Sequence, residues 1–292
     1  MWGESSAVFT HEPPHEETGV LELGIGIGGT KSVAKRQYHE GAFKIIRPHY
    51  LDDSGQVYYT IANPGGGYVG GDVYRMEVEV EPDASVLLTD QSAAKVYRTP
   101  DDYVVQNVEF TLHGNAVMEY IPDQLILYRE ADFRQQITVN MDAESQLFMS
   151  DIVTPGWSPD GRQFLYEQAH LRNVVRVDGK LAVVDNVRIE PTKELFNDVK
   201  ESFLGQHTHF ATAICIDPNM TPELLEKVRD AVRNSLESKG TASASVTETE
   251  VPGFVLRGVA DWTEDLMRII KAAANVVRAE TRGQGPIDLR QY

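Results

Sequence analysis

The sequence predicts a mainly β protein: a large antiparallel stack of strands with two flanking C-terminal α-helices. Three observations carry this expectation. Apolar and polar residues alternate along run after run between residues 19 and 216. Gly, Pro, Asn and Asp separate those runs at intervals of about 8–12 residues. Helical spacing of apolar residues appears only after residue 217.

Taken in order, residues 1–18 carry Pro13, Pro14 and acidic side chains without periodicity, and predict a disordered acidic tail. His11 and His15 within it are candidate metal ligands, but two ligands on a mobile segment hold little without a preformed site. Alternating runs follow at 20–27, 73–81, 104–112, 116–121, 136–141, 171–177 and 181–189. Asp178-Gly179, between the last two, is a hairpin turn signal. A further strand at 208–216 leads to Thr221-Pro222-Glu223, an N-cap, a Pro at the first helical position and an acid in the first turn. Leu224, Leu225, Val228, Val232 and Leu236 then share one helix face, and Gly240 ends it. Short strands near 242–248 and 253–259 precede a second helix from Asp261, with Leu266, Ile269, Ile270, Ala273, Val276 and Val277 on one side. With no internal repeat and no low-complexity linker, residues 19–292 read as one domain: β-rich over 19–216 and an α/β flank over 217–292.

The balance of 27 basic against 44 acidic residues, net −17, excludes a chain that displaces counterions from nucleic-acid phosphates or docks on an anionic membrane. One cysteine, Cys215, excludes an internal disulfide and any cysteine-cluster metal site. No apolar run reaches the ~18–20 residues of a membrane span. Met1-Trp2-Gly3-Glu4 lacks the basic and apolar regions of a signal peptide, so the expected location is the cytoplasm.

Several segments hold residues of chemical interest. Gly24–Lys31 (GIGIGGTK) resembles the phosphate-binding hairpin of actin-fold sugar kinases, but Gly26 stands where that hairpin needs a magnesium-binding Asp. A sugar or small-molecule kinase is therefore the alternative function; a plain Gly-rich turn is the simpler reading. NPGGGYVGGD (63–72) is not a Walker A loop, because no Gly-Lys-Ser/Thr follows, and not a dinucleotide fingerprint, because a strand follows it. Residues 87–98 mix polar and small side chains. Residues 151–167 hold Asp151, Asp160, Arg162 and Glu167 without a nucleophile–base–acid order. His207 and His209 share one strand face but lack a visible third ligand.

In order, NPGGGYVGGD (63–72), LLTDQSAAKVYRT (87–99), MEYIPDQLILY (118–128) and MSDIVTPGW–GRQFLYE (149–167), with Arg47-Pro48 and Tyr50 upstream, resemble the blocks of the urease accessory protein family UreD (UreH in some bacteria). The resemblance runs from about residue 20 to the C-terminus. Asn63-Pro64-Gly65 replaces the family's His-Pro-Pro, Tyr166 replaces a Gly, and residues 154–160 form an insertion.

The resemblance implies a β-helix-like stack of strands with two C-terminal helices and no enzyme activity of its own. It implies a hetero-oligomeric maturation scaffold that binds urease apoprotein and, through UreF, the GTPase UreG, and assists nickel insertion. It implies no tightly bound cofactor, only transient Ni²⁺. Matching by motif, Asp151 and Asp185 are the candidate nickel-path carboxylates. Thr89, Lys95, Tyr97, Arg162 and Glu167 are the path-lining or structural motif residues. The competing structural reading makes Asp151 and Asp185 acceptors for buried donors such as Arg162.

Overall fold

The computed structural model describes residues 11–193, 195–236 and 241–289. Its first strands are β1 (Gly19–Gly28), β2 (Lys31–Gly41), β3 (Lys44–Ile45) and β4 (Val57–Ala62). The winding part of the chain follows as β5 (Val73–Val80), β6 (Ser85–Asp90), β7 (Ala94–Val96), β8 (Val104–Leu112), β9 (Val117–Tyr120), β10 (Leu125–Leu127), β11 (Asp132–Met141) and β12 (Gln146–Val153). The rest comprises β13 (Gln168–Val177), β14 (Lys180–Ile189), α1 (Leu195–Leu204), β15 (His209–Ile216), α2 (Pro222–Ser235), β16 (Ala242–Glu248), β17 (Gly253–Ala260) and α3 (Thr263–Arg282).

Two sheets form, ordered β14-β13-β11-β8-β5-β1-β2 and β16-β17-β15-β12-β9-β6-β4-β3. The chain steps from the first to the second at β5–β6, β8–β9 and β11–β12. Each step adds a strand parallel to the one before, in both sheets. This is the β-helix-like stack. The antiparallel part of the expectation holds at the flanks, in pairs such as β1·β2, β13·β14, β12·β15 and β15·β17. Alternation reports which face is buried and not which way a strand runs, so it could not reveal the parallel core.

A third, narrow side closes each coil, and it is built from the motif blocks. Tyr68 N donates to Lys95 O at 2.7 Å, and Tyr97 N donates to Tyr68 O at 2.8 Å. The next rungs follow from Tyr128 N to Val96 O and from Trp157 N to Leu127 O, both 2.8 Å. NPGGGYVGGD, AKVYRT, QLILY and VTPGW thus occupy the same position in successive coils. The insertion at 154–160 supplies the last rung, with Tyr128 paired to Trp157.

One apolar cluster fills the space between the sheets, with Leu23, Val78, Phe110, Ile137, Val175 and Ile214 fully or almost fully buried. A second lies between the outer face of the second sheet and helices α2 and α3, joining Phe148, Ala213 and Leu256 to Val228, Leu266 and Ile270. Thr221 caps α2, accepting from Leu224 N at 3.2 Å, and Gly283 ends α3 in the left-handed conformation at φ 63°. Asp178 (φ 48°) and Gly179 (φ 74°) form the two-residue hairpin turn expected between β13 and β14.

Two expectations need correction. The stretch read as strand up to residue 216 contains α1, which buries only Phe196 and Leu204 among its described side chains and so carries a weak periodic signal. Residues 11–18, read as part of a disordered tail, pack along the first sheet: Glu17 pairs with Arg75 at 2.8 Å, Tyr103 Oη donates to Glu12 O at 3.0 Å, and Thr18 N donates to Val73 O at 2.7 Å. Residues 1–10 of that segment lie outside the described residues.

Candidate functional site

Inside the solenoid, polar side chains stand where the strand pattern places apolar ones. In the first sheet Gln106 sits in the inward phase of β8 with Val104 and Val108, and Gln135 sits in that of β11 with Phe133 and Ile137. Asn173 follows in β13 and Asp185 in β14, paired across the ladder. From the second sheet come Asp90, Asp151, Thr212 and Arg257, the last three in register across β12, β15 and β17. Gln106, Gln135, Asp151, Asn173, Asp185 and Thr212 are all more than nine-tenths buried. Burying polar groups among hydrophobes costs free energy unless they are paired, so such a row needs a reason.

Some of the pairing is present. Gln135 Nε2 donates to Asp151 Oδ1 at 2.9 Å, and Asn173 Nδ2 donates to Asp151 Oδ2 at 3.0 Å. Arg257 ion-pairs with Asp185 Oδ1. Tyr68 Oη donates to Gln106 Oε1 at 3.3 Å. Three acceptor oxygens, Asn173 Oδ1, Asp185 Oδ2 and Thr212 Oγ1, are buried and have no hydrogen-bond partner among the described residues. At the far end Asp90, Tyr68 and Lys95 line a cavity of about 30 Å³ beside Gly66 and Gly67, room for about one water.

The charges in the row feel one another. Burial raises the Asp151 carboxyl above the ordinary carboxylate range; the amides of Gln135 and Asn173 partly offset this, and the Asp185 charge adds to it. Burial, followed by the charges of Asp123 and Asp151, pushes Asp90 up to about 7. A carboxyl with a raised folded-state pKa favours its protonated form in the fold. Its stability contribution is whole below about pH 4 and is lost as pH rises through about 7. Asp90→Asn is therefore expected to gain on the parent across that window, by about 4 kcal/mol at most. Urea unfolding at pH 5 and pH 7.5 checks this: a larger advantage at pH 7.5 is expected, and an equal one would contradict the burial of that charge.

Of the residues singled out from the sequence, the fold brings Asp151 and Asp185 to this row and Lys95 to its end. The other four lie elsewhere. Thr89 follows the opposite phase of β6 from Asp90, and its Oγ1 donates to Ile121 O at 2.6 Å. Tyr97 Oη donates to Gly66 O at 3.3 Å, and its ring packs 4.9 Å from Tyr128 on the narrow side. Arg162 is on the surface, paired with Asp160 at 2.7 Å, so it does not serve Asp151 or Asp185 as the structural reading supposed. Glu167 is exposed and accepts from Thr192 Oγ1 at 3.1 Å.

Asp90, Gln106, Gln135, Asn173, Thr212 and Arg257 were not found from sequence. A signal existed for several of them. Gln106, Gln135 and Asn173 interrupt the apolar phase of otherwise regular alternating runs, the same anomaly that Asp185 shows in LAVVDNVRI.

The other candidates are engaged locally. His207 pairs with Asp261 at 3.1 Å and His209 Nδ1 contacts Thr208 Oγ1 at 2.9 Å. His15 pairs with Asp102 at 2.8 Å. His11 packs edge-on to His170 with ring centroids 4.6 Å apart; burial and the neighbouring His170, Arg134 and Arg172 charges hold it down at about 4. Among the described residues no three His, Cys, Asp or Glu side chains gather closely enough to form a metal-binding group. In the Gly24–Lys31 hairpin, a Cβ at Gly26 would meet the Glu81 carboxylate at 2.1 Å. That anion covers the face where a phosphate would approach, which disfavours the kinase alternative.

The row offers no nucleophile with an adjacent base. Its donors are oxygens, which bind divalent late transition metals less firmly than imidazole or thiolate. No helix is long and apolar enough to cross a membrane among the described residues.

The sequence model described as UreD urease accessory protein matches residues 17–291. The chain is 40 % identical to the urease accessory protein UreD of Paenarthrobacter aurescens (strain TC1), over 94 % of this chain and 95 % of that protein. It is 41 % identical to the protein of the same name from Arthrobacter sp. (strain FB24), over 94 % of each. It is 35 % identical to that of Bacillus cereus (strain ATCC 10987 / NRS 248), over 94 % of this chain and 98 % of that one. None of these matches supports the kinase reading.

Proposed function

This chain belongs to the UreD urease accessory protein family, and from that premise we propose that it is a non-enzymatic scaffold in urease maturation. In this reading it binds urease apoprotein and, through UreF, the GTPase UreG. Hydrolysis of GTP by that partner supplies the energy, and the hetero-oligomer hands Ni²⁺ to the urease active site. The nickel ion is cargo and not a resident cofactor. The place of work is the cytoplasm.

The observation that carries the proposal is the buried row of Asp151, Asn173, Asp185 and Thr212, with the half-buried Asp90 at its far end, running through an otherwise apolar core. Three of its buried oxygens have no donor among the described residues, which leaves lone pairs open to a ligand. Oxygen ligands with spare lone pairs and raised carboxyl pKa values suit a cation that must stop briefly and leave. A thiolate or multi-histidine site would hold it too long. Asp151 and Asp185 are the path carboxylates, and Lys95 stands at the cavity end.

The test is reconstitution. Urease structural genes are co-expressed with the remaining accessory genes, with and without this chain, and urea hydrolysis is assayed. The proposal expects active urease only when the chain is present. Full activity in its absence would end it.

A further inference from the structure

The buried row meets solvent at Arg257, and the two partners of the ion pair there differ sharply in exposure. The Asp185 side chain is 2 % exposed and that of Arg257 is 45 % exposed. The guanidinium stands 5.8 Å from the centroid of Phe210, over its ring. It borders an open groove of about 350 Å³ lined also by Phe203, Ser243 and Ser245. Behind it lie the second oxygen of Asp185 and the oxygens of Asn173 and Thr212, all without donors. The charge of Arg257 therefore sits at the boundary between water and a set of unfilled acceptors.

We propose that Arg257 is an ionic stopper on this row: its guanidinium fills the cation position beside Asp185, and a divalent cation passes that mouth only when the side chain swings out into the groove. The chemistry requires an exchange of this kind. Two cations within a few ångströms of one carboxylate repel each other strongly where water is scarce. Arg257 holds Asp185 through one oxygen and never loses its charge, so it cannot be neutralised in place and has to move. Its long, half-exposed stem allows that movement without disturbing the strands. The face of Phe210 gives the closed position a second anchor.

The inference rests on the reading of the row as a cation path, and its test is direct binding of Ni²⁺ alone to the full chain by equilibrium dialysis, with no urease present. Arg257→Gln keeps most of the side chain and removes the charge; it is expected to bind Ni²⁺ at least tenfold more tightly than the parent. Adding Asp185→Asn to it should return the affinity to the parent's. If circular dichroism shows that Arg257→Gln does not fold, Arg257→Lys decides. It keeps the charge but loses the guanidinium nitrogen that reaches Asp185 Oδ1, and should bind at least threefold more tightly. A folded Arg257→Gln with parental affinity, a gain that survives Asp185→Asn, or, in the second case, Arg257→Lys with parental affinity would each overturn the stopper. None of these results bears on whether the chain activates urease, so the stopper and the maturation role fail separately.

Discussion

Arg278→Ala should destabilise the fold by about 3–5 kcal/mol, the cost of removing one partner from a buried charge network. Arg278 in α3 is wholly buried. It pairs with Glu119 of β9, donates from Nη1 to Gln56 Oε1 at 2.9 Å, and donates from Nε to Gly285 O at 2.9 Å. Glu119 is equally buried and also receives Arg282 Nη2 at 2.8 Å and Gln56 Nε2 at 2.9 Å. The network ties the C-terminal end of α3 to the second sheet across 159 residues of sequence. Truncating Arg278 leaves Glu119 short of a charge and opens a cavity. Urea unfolding would show the loss as a lower midpoint. Because burying two charges is itself costly, the double change Arg278→Met with Glu119→Leu should be less damaging than the sum of the two single changes. Additive losses would mean that the two side chains are not coupled.

Ile270→Asp should cost at least ~4 kcal/mol, combining a lost apolar side chain with an unpaired buried charge. Ile270 is fully buried in the cluster that α3 shares with α2 and the second sheet. The same cluster includes Phe148, Leu256, Ile269 and Ala273, none of which can donate a hydrogen bond from its side chain. Undocking α3 would expose the outer face of β12, β15 and β17, so aggregation on mild heating is expected together with a large fall in Tm. A variant as soluble and as stable as the parent would mean that α3 does not cover this sheet.

How much of this was legible in the sequence depends on how many sides of a strand are wrapped. Strands of the first sheet face solvent on one side, and their alternation gave β5, β8, β11, β13 and β14 within a few residues of their observed bounds. Strands β4, β6 and β12 are sandwiched between the first sheet and the helices, so both phases are apolar or buried. VYYTIA is buried at every position and QLFMSDIV at all but the first, and such runs show no period. The capping residues made α2 readable, whereas α1 had neither a strong stripe nor a comparable cap signal. The motif blocks identified the family but not their shared position, because a rung is a relation between coils about 30 residues apart and no local pattern encodes it. The site was legible by half. Asp151 and Asp185 came from the motifs, while Arg257 stands between Val255 and Val259 on the face of β17 that meets the core, and only the fold brings it to Asp185.

The central claim is that the buried row serves cation passage and not architecture alone, and Asp151→Asn tests it most directly. Asn keeps the size of the side chain and removes the charge that Gln135 and Asn173 now bracket. The variant is co-expressed with the urease structural and accessory genes, the complex is isolated, and the nickel content of the resulting urease is measured by atomic absorption. The account predicts a variant that folds, still co-purifies with urease and its accessory partners, and yields urease with less than about half the nickel of the parent preparation, roughly 0.4 kcal/mol or more against loading if exchange is at equilibrium. Intact assembly with fully metallated urease would contradict it.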